Sequence, residues 1–166
     1  MVEISIQTIG TENFVRGFNR YVEEIQDFSE VYEELYMDFT SLEMHQFDTQ
    51  GSRGGQGWQA LSPNYARWKA RHHPGKPILV LSGQMRAALT EPGSRGAEKT
   101  IRGREKYARF GVKESGNIGK IASFHQFGTR RMPVRKVIDL TEQDKNRWAK
   151  SIQSWAYAKL NKAIGA

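Results

Sequence analysis

From Phe14 to Leu42 the apolar residues fall at Phe14, Phe18, Tyr21, Ile25, Phe28, Tyr32, Leu35, Phe39 and Leu42, alternately four and three apart with acids between them. Helical winding is what gathers positions so spaced onto one side, so the series predicts one long amphipathic helix. A sustained period of this kind also suits a coiled coil, but its seam is mostly aromatic rather than Leu, Ile and Val. The helix is therefore expected to lie across a sheet as the main core helix. Its outer face carries Glu23, Glu24, Glu30, Glu33 and Glu34.

The flanking segments supply the rest of the fold. Residues 2–9 alternate apolar and polar and predict a half-buried strand, with Thr11 placed to cap the helix that follows. Residues 48–60 are rich in glycine, with Trp58 the main side chain able to pack, and predict a mobile loop. Ser62-Pro63 opens a short helix, a capping hydroxyl before a proline at the first helical position, and Pro74 and Pro77 close it. Ser82 is placed to cap a second short helix that buries Met85 and Leu89. Two antiparallel strands are predicted over about 95–102 and 106–112, turning at Gly103-Arg104-Glu105. A helix over 118–127 ends at Gly128, Val134 to Leu140 predict a last strand, and Thr141 with Asp144 begins a terminal helix in a capping-box pattern. The expected architecture is α+β in one domain over 1–166, a small mostly antiparallel sheet packed with a long N-terminal and a C-terminal helix.

Charge divides the chain. Residues 1–48 hold 11 acids and 2 bases, a balance of −9, while residues 49–166 carry +16. Such asymmetry fits a nucleic-acid surface, or a subunit with complementary faces through which copies of itself or a partner dock. The absence of cysteine excludes disulfides and thiolate metal sites and suits a reducing cytoplasm. No apolar run reaches the roughly 18 residues needed to span a bilayer, and the N-terminus lacks the pattern of a secretory signal, so a soluble, unprocessed protein is expected.

Catalysis requires clustered groups, because one isolated side chain cannot both activate and stabilise. Between Thr49 and Thr90 there is no acid at all, and the later acids stand singly among bases. His72-His73 matches no ordinary zinc spacing, and the glycines of 51–57 precede no Lys-Ser/Thr pair at phosphate-loop spacing. No catalytic residue, metal or cofactor is therefore expected. Nucleic-acid binding has more support, from the basic 49–136 region and above all the hairpin bases Arg95, Lys99, Arg102, Arg104, Lys106, Arg109 and Lys113.

Five segments in order, GQGWQALSPNYARWK at 55–69, PILVLSGQMRAAL at 77–89, KYARFGV at 106–112, FHQFGT at 124–129 and MPVRKVIDLT at 132–141, resemble the phage virion morphogenesis family of tail completion proteins. Lys136 stands where that pattern often has proline. The resemblance implies a structural, non-enzymatic virion protein, made in the host bacterial cytoplasm, that completes the tail or joins it to the head as a ring, a hexamer. Its implied partners are itself and phage tail and head-connector proteins, with DNA contact if the ring surrounds a channel. Within these motifs Trp58 and Leu61 are expected as buried anchors, and Gly83 and Gly128 as tight turns. His125 and Gln126 have hydrogen-bonding capacity to satisfy or to share with a neighbour. Arg130, Arg131 and Arg135 are expected to meet the acidic helix of the next subunit.

Overall fold

A computed structural model describes residues 11–164, so the strand expected over 2–9 lies outside the described residues. The fold is α+β: helices α1 (Thr11–Glu24), α2 (Ser29–Asp48), α3 (Pro63–His72), α4 (Gln84–Thr90), α5 (Asn117–Phe127) and α6 (Glu142–Ile164), with strands β1 (Ala97–Arg102) and β2 (Tyr107–Val112). The two strands pair antiparallel with Ala97 opposite Val112 and Arg102 opposite Tyr107. A single 3-10 turn over Gly103–Glu105 joins them, and Lys106 takes a left-handed conformation at φ 52°.

The apolar series that opens the chain is helical throughout except at residues 25–28, so the one long helix expected there is two. At the break Asp27 Oδ1 accepts the Ser29 amide at 2.9 Å, starting α2 afresh. The hairpin turn presses on the same place: a Cβ at Gly103 would lie 2.0 Å from Asp27 Oδ1 and 2.4 Å from Ser29 N. Tertiary contact, with no proline or glycine at residues 25–28, thus sets the break.

Helix α2 is the spine. It packs on α4, the hairpin and α6, while α1 lies chiefly against α6. Tyr36, Phe39 and Phe47 of α2 meet Trp58, Val80, Met85, Leu89 and Val137 in one core. Phe110 of β2 closes on Tyr36 and Phe39 at ring separations of 5.2 and 5.9 Å. Met85 and Leu89 are buried on α4 as their spacing requires.

Helix starts follow the expected sequence signals with different atoms at two of them. Pro63 does open α3, but Ser62 makes no side-chain capping bond. Its carbonyl instead takes the Ala66 amide at 2.8 Å. Before α4 the cap position is Gly83, left-handed at φ 86°, with Ser82 Oγ accepting the Gln84 amide at 3.4 Å. The Thr141–Asp144 box is reciprocal: the Thr141 amide donates to Asp144 Oδ2 at 2.8 Å and the Asp144 amide to Thr141 Oγ1 at 3.2 Å.

The strand expected over 134–140 does not form. Among the described residues that segment has no ladder partner, apart from an isolated bridge between Thr129 and Met132 just before it. Side chains satisfy much of its backbone instead.

Candidate functional site

Helix α5 stops at Gly128, whose φ of 72° suits glycine and where a Cβ would come within 3.0 Å of Val134. The chain then reverses over two residues, because the Thr129 and Met132 amides donate to each other's carbonyls at 2.9 and 3.1 Å. Arg130 and Arg131 form the tip of this closed turn and are exposed. Beside them Phe127 is 77% and Val134 53% exposed, an apolar pair next to two cations.

Behind the turn the segment 133–140 is tied back to the fold. The Arg135 amide donates to His125 O at 2.8 Å. Gln126 Oε1 accepts the Val137 and Ile138 amides at 2.8 and 3.0 Å, and its Nε2 donates to Ile138 O at 2.9 Å. One glutamine side chain thus replaces a strand partner for two residues. On the opposite side Gln46 Nε2 and Trp58 Nε1 both donate to Lys136 O, at 3.1 and 2.7 Å. Arg135 is buried, and its guanidinium holds Gln59 O at 2.7 Å and Ala60 O at 3.0 Å.

This geometry sorts the residues singled out in the sequence. Trp58 is a buried anchor, edge-on to Phe47 at 5.3 Å, and Leu61 is half-buried beside it in sequence. Gly83 and Gly128 take positive φ as expected of tight turns. The amide of Gln126 is spent within the fold, and Arg135 is interior, so neither belongs with Arg130 and Arg131 on a surface for a neighbour. The reason is shared: an extended segment without a strand partner needs side-chain partners to remain dry. His125 is half-buried with Nδ1 lacking a partner, and burial, aided by the nearby Arg135 charge, lowers its pKa and favours the neutral ring.

The Gly-rich loop holds an anchor that its composition hides. Residues 52–54 make a 3-10 turn that turns Arg53 inward. Its guanidinium meets Asp144 at 2.7 Å, with both side chains under a tenth exposed, and also donates to Asp139 O. Burial alone would raise the Asp144 pKa, but Arg53 and the Thr141 donors outweigh it and bring it down to about 2. Nearby, Glu43 of α2 is wholly buried with neither carboxylate oxygen bonded. Burial pushes its pKa up to about 8; the Arg53 charge opposes the rise and Asp139 adds to it.

The acidic helix face is partly committed within the chain. Glu30 accepts from Lys159 at 2.6 Å and from Trp155 at 3.1 Å, and Glu33 pairs with Lys99 at 2.5 Å. Among the described residues Glu23 and Glu34 have no ion pair; both are exposed, whereas Glu24 is half-buried. The hairpin bases are similarly engaged: besides Lys99, Arg102 pairs with Glu105, Arg109 with Glu114 and Arg104 with Asp27. Arg95, Lys106 and Lys113 have no ion pair among the described residues, so only part of the hairpin's charge is neutralised within the chain. Among the described residues no group of three or more His, Asp or Glu is placed to hold a metal ion.

The motif residues thus converge on one junction: α5, the arginine turn, and the segment bound between Gln46, Trp58 and Gln126. The chain belongs to the phage virion morphogenesis family, whose model matches residues 9–156. Its role is accordingly that of a phage structural or assembly protein. No curated protein and no solved structure matches it. Virion association fits this family, and among the described residues no helix is long and apolar enough to cross a membrane.

Proposed function

We propose that the chain is a non-enzymatic subunit that completes the phage tail or joins it to the head, assembling by protein contacts with copies of itself in a ring and with tail and head-connector proteins. Its assembly would take place in the host cytoplasm. The observation that carries this reading is the arginine turn: two exposed cations on a backbone-closed tip, beside Phe127 at 77% exposure. A rigidly mounted turn loses little conformational freedom on docking, and an apolar contact ringed by charge is how protein interfaces combine affinity with register. The acids without an ion pair among the described residues of the N-terminal helices, Glu23 and Glu34, offer the complementary surface. Contact between unlike faces closes rings, whereas a twofold contact would place like faces together.

The test reverses both charges, Arg130→Glu with Arg131→Glu. Exposed ion pairs contribute about 0–1 kcal/mol each, so the variant should keep its fold and lose assembly. Native mass spectrometry at low and high salt reads the ring, and complementation of a phage lacking this protein reads tail completion. Normal yields of infectious particles from a folded variant would remove the turn as an assembly contact.

A further inference from the structure

The four tryptophans divide into two kinds. Trp58, Trp148 and Trp155 are packed into the fold, and their indole N–H groups donate to Lys136 O, Asp38 Oδ2 and Glu30 Oε2. Trp68 is 41% exposed, and among the described residues its N–H has no acceptor. It sits on α3 in a ladder of planar rings. Tyr65, Trp68 and His72 occupy positions i, i+3 and i+7 and so share one face. Tyr65 and Trp68 stack at 5.4 Å and 21°, Trp68 and His72 at 5.0 Å and 24°. The ladder is fixed at its end, where His72 Nδ1 lies 2.8 Å from Trp68 O.

A second stripe runs beside the first. Arg67 and Arg71, each one position before a ladder residue, are offset by about 100° around the helix, and Lys76 follows in the next loop. All three are exposed, and among the described residues none is ion-paired. This contrasts with the hairpin, where Lys99, Arg102, Arg104 and Arg109 each have an acid. No acid occurs between Thr49 and Thr90 to neutralise the stripe from within the segment. Lys69 takes no part, because it is buried with Nζ donating to Pro77 O at 2.5 Å, a bond that holds the loop beneath the ladder.

The geometry points to α3 as a contact site for single-stranded nucleic acid. Arg67, Arg71 and Lys76 would neutralise successive phosphates while unpaired bases stack on the outer faces of the end rings, Tyr65 and His72, with Trp68 between them holding the ladder and offering its exposed edge. Stacking on aromatic faces tolerates any base, so the site selects strandedness and not sequence. A duplex, whose bases are already stacked on each other, can use only the cationic stripe. The site adjoins the arginine turn, since Tyr65 and Arg131 line one cleft, but it rests on different residues and stands whether or not that turn builds a ring.

The probe is a fluorescein-labelled thymidine oligomer of about 20 nucleotides, with a matched duplex for comparison, titrated with the full chain by anisotropy. Binding should quench tryptophan emission, since Trp68 is exposed while Trp58 and Trp155 are buried and Trp148 is partly buried against the core. Trp68→Ala should weaken single-strand binding roughly tenfold and remove the quenching. Arg67→Glu with Arg71→Glu should also weaken it and flatten the dependence of log K on log salt by about one to two units. Lys150→Glu, on exposed α6, should change neither. Circular dichroism confirms that each variant is folded, and the paired arginine variant tests the site without removing an aromatic ring. The inference fails if the wild-type chain does not bind the single strand. It fails equally if the duplex binds as tightly with Trp68→Ala unaffected, or if the folded arginine variant binds normally. Loss of tail-protein capture on Trp68→Ala without any nucleic-acid binding would assign the face to a protein partner and overturn it.

Discussion

Arg53 is the buried cation on which the Gly-rich segment depends. Its carboxylate partner Asp144 also closes the capping box of α6, so one acid fastens a loop and starts a helix. Asp144→Asn would leave the guanidinium buried without a counter-charge, a loss of about 3–5 kcal/mol measurable by urea denaturation at pH 7. The pH dependence has a definite sign. Because the folded-state pKa of Asp144 is held down to about 2 from 3.8, its contribution is present above the ordinary value and lost as pH falls through 2. Glu43 behaves oppositely. With its folded pKa raised from 4.5 to about 8, the folded chain keeps a proton that the unfolded chain releases, so stability falls as pH rises between those values. Glu43→Gln, which stays neutral, should gain on the order of a few kcal/mol at most over wild type at pH 8 and little at pH 4. An unchanged pH slope in the variant would show that Glu43 is not the titrating group. Neither role was legible in the sequence, where Arg53 is one arginine among glycines and Glu43 one more acid on an acidic helix; burial, which decides both, is a tertiary property.

At the scale of elements, periodicity located the helices and the hairpin, while their ends were set by contacts that periodicity does not contain. The aromatic series from Phe14 to Leu42 gives no sign of a stop at residues 25–28, because the stop is made by Gly103 from the far end of the hairpin. Gly103→Ala should therefore destabilise the chain by about 1–3 kcal/mol, as overpacking does, although its residue sits in a turn. The same variant should lower helical circular dichroism if the junction rather than the hairpin gives way. The segment 134–140 has the composition of a strand, yet Gln126 takes the place of a neighbouring strand. Gln126→Leu would strip the Val137 and Ile138 amides of their acceptor. A cost of about 1–3 kcal/mol for each unsatisfied group makes this variant unstable to denaturant, and Gln126→Glu, which keeps the acceptor but sets a carboxylate oxygen against Ile138 O where Nε2 donated, should restore only part of the loss. The motif FHQFGT was recognisable as a motif; its use as a side-chain substitute for β-pairing was not.

For the whole molecule, the division of charge along the chain is partly folded back on itself. Lys99, Arg147 and Lys159 from the basic part reach Glu33, Asp38 and Glu30 on α2. What remains unpaired, notably the Arg130–Arg131 turn and the α3 stripe, is a better guide to partners than the totals were. The α+β class and the family were readable because they rest on ordered local patterns, whereas the exposed ladder on α3 required knowing which of the four tryptophans stayed outside. In the Gly-rich segment, the hydrogen-bonded amides of Ser52, Gly55 and Trp58 should resist hydrogen exchange while those of Gln56 and Gly57 exchange quickly. Uniform fast exchange over 48–60 would show that the Arg53–Asp144 pair does not hold the loop in solution.

The break at residues 25–28 also sets the order in which the molecule comes apart. Helix α1 leans chiefly on α6, whereas α2 is held by α4, the hairpin and the core. Opening α1 therefore requires parting essentially one seam between helices, and opening α2 requires dismantling the whole interior. Amide hydrogens of α1 should exchange well before those of α2, through a partly open form that a melting curve following the core would pass over.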